Sequence, residues 1–443
     1  MTHEAQLPIA LSEAKDAFAR IAAFDHAILA VSGGPDSMAL LVLAAECCAR
    51  SGKGAPLLSV ATIDHGLRAE SAAEAEFVAS EARRLGLSHT TLRWTGEKPA
   101  TGIAAAARSA RYRLLEEYAR SFPTERVAVV TAHHLDDQAE TFTMRLARGA
   151  GVAGLAAMAA ERPLAEGSQI RLVRPFLTFS KSRLIATVEA RGVRFFNDPT
   201  NEDGRYERAR VRQFLPALDA AGITSAALAT SARRLGEAEA ALRYAESRFI
   251  ATLDLSFGND VFASLKTAAF REGPSLLRQR VLAHLIVRYG GASQKPQLSE
   301  IEDLAARLQS EGSCTATLGG AMISSGSRFI RVWREAGRLT QAEFDLSPGE
   351  SRTWDDRFIV SRTPDARGPV RIKPLGSVDY LKIASRLARG RRPPARAAHA
   401  LPSFWRGEDL IAVPSLAPFS LASGPSVEES GCRLKILALS SSY

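Results

Sequence analysis

Cysteine is scarce in this 443-residue sequence, and long apolar runs are absent from it. Its four cysteines are Cys47, Cys48, Cys314 and Cys432, and none of them forms a C-x-x-C pair. This usage favours neither a disulfide framework nor a cysteine-based metal centre, and it indicates a reducing compartment. The charged N-terminal segment lacks the apolar core of a signal peptide, and no segment suits a membrane-spanning helix. We therefore expect a soluble, cytoplasmic protein without membrane contact.

Acidic residues are fewer than basic residues in this chain. The chain has 48 Asp and Glu against 57 Lys and Arg, which gives a formal net charge of +9. Basic residues are concentrated between positions 362 and 396, where the only acidic residues are Asp365 and Asp379. Apolar residues between 370 and 387 favour a folded segment over a disordered charged stretch. The pattern favours a nucleic-acid-binding surface over a merely solvated face.

The first half of the chain alternates between strand-like and helix-like segments. Apolar, strand-like runs occur at 27–31, 57–63, 89–94 and 127–131. The helix-like segments that follow them begin near Asp36, Ala69, Gly102 and Asp136. This order is typical of an α/β domain with a mostly parallel sheet, in which ligands bind at the carboxyl ends of the strands.

The alternation ends near Leu215 and Pro216, so we expect a first domain at residues 1–217. Beyond it, apolar residues spaced by seven from Leu228 to Phe249 predict a long amphipathic helix. Two further helices and one strand pair are predicted at 275–289, 298–308, and 317–320 with 328–333. These elements predict a small, mainly helical domain at 218–340. Short apolar runs broken by Pro and Gly predict a C-terminal α+β domain at 341–443.

The segment Ser32-Gly33-Gly34-Pro35-Asp36-Ser37 joins the first strand-like run to the first helix-like segment. Glycines let a ligand approach the backbone, and a helix N-terminus offers amide groups and partial positive charge to a phosphate. Asp36 would repel phosphate unless a divalent cation lies between them, so we expect Mg²⁺ here. The Walker A lysine is absent, and the segment instead resembles the PP-loop signature of enzymes that cleave ATP between the α and β phosphates. A capped glycine turn is the simpler alternative.

A second strand-to-helix junction carries His133, His134, Asp136 and Asp137. Parallel topology predicts that it lies near the Ser32 loop. Helix capping would explain the two carboxylates but not the two histidines. A zinc site is disfavoured, because the histidines are adjacent rather than four residues apart on a helix. This junction is therefore a second candidate part of the ligand site.

Five further segments make the pattern specific. They are residues 62–68, 107–112, 148–155, 174–177 and 197–201. Together with the two junctions, they closely resemble the tRNA(Ile)-lysidine synthetase family of the PP-loop ATP pyrophosphatases. The resemblance covers the N-terminal domain and continues more weakly downstream, at 317–320, 374–376 and 401–402.

The resemblance implies an α/β fold, with a Rossmann-like parallel-sheet PP-loop domain, a small mainly helical domain and a C-terminal α+β domain. It implies ATP-dependent ligation of L-lysine to C2 of the wobble cytidine of tRNA(Ile) with a CAU anticodon. The reaction passes through adenylated tRNA and yields lysidine, AMP and pyrophosphate, which changes anticodon reading from AUG to AUA. ATP, Mg²⁺, L-lysine and this tRNA are then the partners. A homodimer is an additional hypothesis, since the sequence does not reveal the oligomeric state.

The residue roles follow from the same resemblance. The predicted ATP-binding set is Ser32, Gly33, Gly34, Pro35, Asp36, Ser37, Asp64 and His133. The predicted metal ligands are Asp36 and Asp137, which form the catalytic set together with Arg111. Arg111 would meet α-phosphate charge or the tRNA backbone, and Asp137 would hold the metal or the incoming lysine ammonium. The roles of His134, Arg208 and Arg212 stay open, because an exposed helix explains the two arginines as well as a substrate contact does.

Three other functions match part of the sequence. A PP-loop tRNA thiolase would also adenylate a base, but its sulfur chemistry needs cysteines or an iron–sulfur cluster. A PP-loop amide ligase acting on a small molecule would leave the basic C-terminal segment unexplained. A non-catalytic RNA-binding module would leave the intact Ser32 loop and Asp137 unexplained.

Overall fold

The computed structural model describes residues 7–51, 54–66, 71–96, 98–99, 101–165, 167–196, 207–291, 296–310, 312–339, 343–387, 392–419 and 431–436. The motif residues 67–68 and 197–201 lie outside these ranges. The chain forms two compact units, Met1–Glu239 and Ala240–Tyr443. The finer division into domains at 1–217, 218–340 and 341–443 stays a prediction. Among the described residues, no helix is both long and apolar enough to cross a membrane.

A six-stranded sheet forms the centre of the first unit. Its strands are β1 (His26–Ala30), β2 (Leu57–Asp64), β3 (Ser88–Arg93), β4 (Val127–Val130), β5 (Glu161–Pro163) and β6 (Arg171–Val173). Their order is β3-β2-β1-β4-β6-β5, with β5 antiparallel to β6 and the other pairs parallel. The central strands β1 and β4 are continuously apolar and buried, as expected for strands covered on both faces. The predicted parallel α/β fold is confirmed.

The helices of this part of the chain are α1 (Leu11–Phe18), α2 (Pro35–Ser51), α3 (Ser71–Arg84), α4 (Ile103–Ala119), α5 (Leu135–Leu146), α6 (Val152–Leu155), α7 (Lys181–Ala190), α8 (Glu207–Ala220) and α9 (Ser225–Thr252), the last of which continues into the second unit. Helices lie on both faces of the sheet, where they form two buried cores. Met38 of α2 and Leu184 of α7 pack with Leu29 in one core. Leu115 of α4 packs with Ile28 in another. Because Ile28 and Leu29 alternate between the faces, β1 contributes to both cores.

The second unit begins with a five-stranded antiparallel sheet and three helices. The strands are β7 (Ser256–Gly258), β8 (Phe262–Lys266), β9 (Cys314–Leu318), β10 (Ala321–Ser325) and β11 (Phe329–Arg334), in the order β7-β8-β11-β10-β9. The helices are α10 (Thr267–Glu272), α11 (Ser275–Gly290) and α12 (Leu298–Gln309). Ile286 and Leu304 pack with Ile323 and Val332 of the sheet. The long helix and the two later helices that the sequence predicts are present.

The predicted strand pair at 317–320 and 328–333 is wrong in its pairing. β10 lies between β9 and β11 and pairs with both. Gly319 and Gly320 form the tight turn from β9 into β10, with φ values of +55° and +77°, a turn that favours glycine. The sequence obscures β10 because Ala321, Ser324 and Ser325 give it small and polar side chains.

Two smaller antiparallel sheets complete the second unit. One has the order β12 (Phe344–Leu346), β15 (Val370–Pro374), β16 (Pro402–Arg406), β17 (Asp409–Ala412). The other has the order β13 (Ser351–Trp354), β14 (Phe358–Arg362), β18 (Cys432–Ile436), and the helices are α13 (Gly376–Ala384) and α14 (Ala395–Ala398). Trp354 and Phe404 share a core with Val261 and Trp333. The C-terminal strands therefore help to bury Trp333 of β11 and Val261, which lies in the turn between β7 and β8.

The basic C-terminal segment is not uniformly available to a ligand. Arg362 is buried, and it donates hydrogen bonds to the carbonyls of Arg367 and Gly368. Arg371 and Lys382 are paired with Asp345 and Asp379, respectively. Arg389 and Arg391 lie outside the described residues. Arg362 thus stabilises the fold, and the number of basic residues in this segment overstates its free positive surface.

Candidate active site

Three predicted parts of the site meet at one edge of the first sheet. The Ser32 loop follows β1, Asp64 ends β2, and His133 lies just after β4. These strands are neighbours in the order β2-β1-β4 and run parallel. Since parallel strands end at the same edge, about 5 Å apart per strand, the three parts lie side by side.

The loop between β1 and α2 is held by its own hydrogen bonds. Gly33 has a φ of +89°, a conformation that favours glycine. The Ser32 amide donates to Ser37 Oγ at 3.1 Å, and Ser37 Oγ donates to the Gly34 carbonyl at 2.9 Å. Because α2 begins at Pro35, the amides of its first turn lack helical acceptors and are available to an anion. The two serines therefore hold the loop backbone, and its role as the phosphate site stays a prediction.

Asp36, in the first turn of α2, has one carboxylate oxygen that interacts with protein and one that does not. Its Oδ2 lies 3.6 Å from Nε2 of His134. Its Oδ1 is buried without a hydrogen-bond partner among the described residues. Leaving a buried carboxylate oxygen unpaired is costly. Its position beside the phosphate loop suits a divalent cation shared with a phosphate.

His134 is enclosed by three carboxylates. It is the N-cap residue of α5 and is only 3% exposed. Its Nε2 lies 3.6 Å from Asp36 and 3.5 Å from Asp137, and its Nδ1 lies 3.4 Å from Asp136. Burial disfavours the imidazolium, but the three carboxylates outweigh burial and raise the pKa of His134 to about 10. His134 is therefore a buried cation at neutral pH that holds the carboxylates together.

Both carboxylate oxygens of Asp137 are engaged. Oδ2 accepts from the His134 amide at 3.0 Å, and Oδ1 accepts from Arg208 Nη2 at 2.7 Å. Burial acts to raise the pKa of Asp137, but the nearby charges of His134 and Arg208 lower it. Asp137 is thus an ionised carboxylate, and a ligand that binds its Oδ1 would compete with the Arg208 guanidinium. In the part of the chain that is described, no group of three His, Cys, Asp or Glu residues is arranged as a metal site.

Glu140 is a site residue that the sequence analysis missed. It is 1% exposed and accepts from Arg208 Nε at 2.5 Å and from Arg212 Nε at 2.7 Å. These bonds tie α8 to α5, so the two arginines do not belong to an ordinary exposed helix face. A signal was available, since Asp137 and Glu140 are spaced i, i+3 while Arg208 and Arg212 are spaced i, i+4, which places each pair on one helix face.

His133 and His134 are adjacent in the chain, but one is neutral and the other is positively charged at neutral pH. His133 Nδ1 lies 2.8 Å from Thr131 Oγ1. Burial, together with the charges of Arg174, Arg208 and Arg108, lowers the pKa of His133 to about 3, against the opposing effect of Asp137. His133 is therefore a neutral imidazole at the mouth of the site, where it can accept or donate a hydrogen bond to a ligand.

Asp64 stabilises the loop after β2. Its Oδ1 accepts from Ser71 Oγ at 2.7 Å and from the Gly66 amide at 2.8 Å. These hydrogen bonds lower the pKa of the carboxyl. Asp64 therefore has a structural role in this state, and its contact with ATP stays a prediction.

Arg111 lies on α4. Its side chain is solvent-accessible, yet protein surrounds it closely enough that desolvation, followed by the charge of Arg108, lowers its pKa. A guanidinium in such surroundings is well suited to an anionic ligand. The expected role of Arg111 at a phosphate stays a prediction.

Comparison with known proteins identifies the family. A family model described as a PP-loop domain matches residues 9–218. The tRNA(Ile)-lysidine synthase of Bradyrhizobium sp. is 43% identical over 349 residues, which cover 74% of this chain and 95% of that protein. The tRNA(Ile)-lysidine synthase of Ruegeria pomeroyi is 40% identical over 410 residues, which cover 91% of each chain. Among solved structures, the U34-tRNA thiolase NcsA from Methanococcus maripaludis covers 51% of this chain at 14% identity and a TM-score of 0.43.

The two synthases match well beyond the PP-loop domain, because the match to the Ruegeria protein extends over most of the second unit's length as well. Their identity to this chain is far above what a shared fold alone requires. They confirm the resemblance found in the sequence motifs and the ATP-using PP-loop character of the first unit. The chain belongs to the tRNA(Ile)-lysidine synthase family.

Proposed function

We propose that this protein uses ATP to attach L-lysine to C2 of the wobble cytidine in a tRNA(Ile) with a CAU anticodon. The products are lysidine, AMP and pyrophosphate, and the modified anticodon reads AUA in place of AUG. The proposal rests chiefly on the loop of residues 32–37, whose Asp36 carboxylate and that of Asp137 both lie close to His134, in a chain of this family.

The first step would activate the cytidine. The C2 oxygen attacks the α-phosphorus of ATP, and the bond to the β-phosphate breaks to release pyrophosphate. The helix N-terminus at Pro35 would hold the departing phosphates through backbone amides. Arg111 would neutralise charge that develops on the α-phosphate. This step turns a poor leaving group, the C2 oxygen, into a good one.

The second step would form the new carbon–nitrogen bond. The lysine side chain is an ammonium in solution, with a pKa near 10.4, and it must lose a proton before it attacks. Asp137 would bind that ammonium in place of Arg208 and accept or relay the proton, while neutral His133 orients the amine. Attack of the amine at C2 then breaks the C2–O bond, and AMP leaves with the oxygen.

Mg²⁺ fits the residues at the phosphate loop. The unpaired, buried Oδ1 of Asp36 is the ligand atom that the chain offers, and Mg²⁺ in such sites commonly takes one or two carboxylates together with substrate phosphates and water. Asp137 is the second predicted ligand, although its oxygens are engaged with Arg208 and His134. When bound, the ion would neutralise charge on the phosphates.

The direct test is incubation of the full chain with ATP, labelled lysine and a tRNA(Ile) transcript with a CAU anticodon. Label in the RNA, dependent on ATP, is the expected result. The variants Asp36→Asn and Asp137→Asn should each abolish labelling, while Asp345→Asn, a surface residue of the second unit, should not. Absence of label under conditions in which ATP binds would refute the proposal.

The second unit offers a surface for tRNA beyond the anticodon. An open groove of about 630 Å³ is lined by Arg328, Arg331 and Arg396. All three are exposed, and none pairs with a carboxylate among the residues that the structure describes. Phe329, 39% exposed, lies with its ring centre 5.8 Å from the Arg331 guanidinium. Free guanidiniums beside an aromatic ring suit the RNA backbone and unpaired bases.

Point variants test this groove more cleanly than truncation. Deletion of everything after Gln341 should weaken tRNA binding and spare ATP binding, but it would also expose Val261 and Trp333, which share a core with the C-terminal strands. Replacement of Arg328, Arg331 and Arg396 by Gln should raise KM for full-length tRNA without changing KM for an anticodon stem–loop. Unchanged full-length tRNA kinetics would exclude the groove as a tRNA contact.

The homodimer hypothesis is tested separately by sedimentation of the full chain.

A further inference from the structure

A cluster of guanidinium groups surrounds Tyr112 at the same edge of the sheet as the candidate active site. Arg108 lies one turn before Tyr112 on α4, Arg162 lies on β5, and Arg174 directly follows β6. The guanidinium carbons of Arg108 and Arg162 lie 5.2 and 5.6 Å from the centre of the tyrosine ring. Three separate elements of the fold thus bring cations to one aromatic side chain.

The cluster lacks a counter-charge. Within the described ranges, none of the three arginines is paired with a carboxylate. Arg162 Nη1 donates to the carbonyl oxygens of Pro163 and Leu164, and Arg174 Nη1 donates to that of Ala159 at 2.7 Å. These hydrogen bonds to backbone carbonyls hold the two arginines in place without neutralising them.

Arg174 gives the strongest indication that this cluster binds an anion. It is only 3% exposed, and its Nε is buried without a hydrogen-bond partner among the described residues. Burial, followed by the charges of Arg162 and Arg108, lowers its pKa to about 10, although Tyr112 acts in the opposite direction. A buried cation with an unpaired donor and like charges beside it is costly, and a bound anion would relieve both costs.

The positive charge continues from the cluster to the surface. Arg174 and Arg108 both act on His133, so the cluster borders the candidate active site. On the other side, the charges of Arg108 and Arg148 act on Arg145. Arg148 is 63% exposed and is paired with Glu207. Several cations near one another, some buried and some exposed, exceed the needs of one phosphate and suit successive phosphates of a nucleic-acid strand.

We propose that Arg108, Arg162 and Arg174, arranged around Tyr112, bind backbone phosphate of the RNA substrate beside the nucleotide that is modified. This assignment rests on the proposed function and names an RNA contact of the same site. Arg174 is set apart from the phosphate loop, because it follows β6 and β4 lies between β1 and β6 in the sheet, a separation of about 10 Å at the usual strand spacing.

The test measures RNA binding without turnover. The probe is a stem–loop RNA with a CAU anticodon loop, titrated with the full chain at several salt concentrations in the absence of ATP and lysine. Arg108→Gln and Arg162→Gln should each weaken binding about tenfold, as expected for one charge-assisted hydrogen bond. Each should also reduce the slope of log Kd against log salt by about 0.7 per lost phosphate contact.

Matched variants separate this contact from a structural effect. Arg113→Gln, on the same helix but exposed and paired with Glu117, should bind like the parent. Arg162→Lys keeps the charge and should restore the salt dependence in part. Arg174 is a poor choice for substitution, because it also holds the Ala159 carbonyl.

The kinetics with ATP as the varied substrate show whether the cluster binds a phosphate of RNA or a phosphate of ATP. KM for ATP should be unchanged in Arg108→Gln and Arg162→Gln. Unchanged RNA affinity and salt slope, a rise in KM for ATP alone, or failure of the parent chain to bind the stem–loop would each overturn the assignment. Because binding is measured without chemistry, absence of lysine transfer would contradict the proposed function but would leave this result interpretable.

Discussion

Arg208 and Asp137 are joined by a hydrogen bond of 2.7 Å that occupies the carboxylate oxygen a ligand would need. The same guanidinium also contacts the buried Glu140, which Arg212 contacts through its other oxygen. Arg208 therefore has two functions that can be separated. It shares the contact between α8 and α5 with Arg212, whereas among the described residues it is the one side chain that donates to Oδ1 of Asp137.

Replacement of Arg208 by Gln should make lysine bind more tightly. With the guanidinium gone, the lysine ammonium no longer competes for Asp137, and KM for lysine should fall by up to about tenfold, the equivalent of one charge-assisted hydrogen bond. Arg212→Gln is the matched control, because it loses a contact with Glu140 but none with Asp137. Steady-state kinetics with lysine as the varied substrate give the comparison. Equal values of KM in the two variants would contradict the competition.

The two junctions of the site could be predicted from sequence because they depend on local chemistry. The change from β1 to α2 is marked by Gly33, Gly34 and Pro35, and the carboxyl-edge position of His133 follows from strand order. The contact between Glu140 and Arg208 spans 68 residues and depends on how α8 packs on α5, which no local pattern determines. The middle strand β10 was missed for a related reason, since its small and polar residues form a strand only because β9 and β11 pair with it.

Gly33→Ala should impair ATP binding more than it impairs folding. A Cβ at Gly33 would find ordinary contacts, 3.5 Å from Phe196 and 3.6 Å from Val78, but the φ of +89° is strained for alanine. The strain costs about 1–2 kcal/mol, and relief of it would rotate the loop backbone that faces the phosphates. We expect KM for ATP to rise.

Gly236→Ala is the control for that substitution. Gly236 lies within α9, and a methyl group at this position would have no neighbouring atom within 4 Å outside the adjacent helix backbone. Alanine is favoured over glycine in a helix by about 1 kcal/mol. This variant should unfold at higher urea concentration and keep the parent KM for ATP. A parent-like KM in Gly33→Ala would show that the loop tolerates a side chain and is not a close backbone cradle.

Asp36 and Asp136 should differ in their effect on the Mg²⁺ requirement. Asp36 has a buried, unpaired oxygen, whereas Asp136 Oδ2 accepts from the Lys181 amide at 2.7 Å. Any pyrophosphate release that Asp36→Asn retains should need at least about tenfold more Mg²⁺ for its half-maximal rate, because the amide is a much weaker ligand. Asp136→Asn should leave that concentration near the parent value. Equal Mg²⁺ dependence in the two variants would remove Asp36 from the metal site.

His134 should make the stability of the first unit fall at alkaline pH. Its folded-state pKa of about 10 lies above the value near 6.5 of an unfolded chain. Its contribution is therefore complete below about pH 6.5 and is lost as pH rises towards 10, because the folded state holds a proton that the unfolded state releases. The slope has a ceiling of about 1.4 kcal/mol per pH unit.

His134→Gln removes that proton and should flatten the decline in unfolding free energy between pH 7 and pH 9, as measured by urea titration at each pH. His26→Gln is the control, because burial lowers the pKa of His26 and this imidazole does not change charge in that range. If His134→Gln and the parent lost stability in parallel, the three carboxylates around His134 would not be holding an imidazolium. The charge that keeps Asp36 and Asp137 close together would then have to come from Arg208, whose removal would separate them.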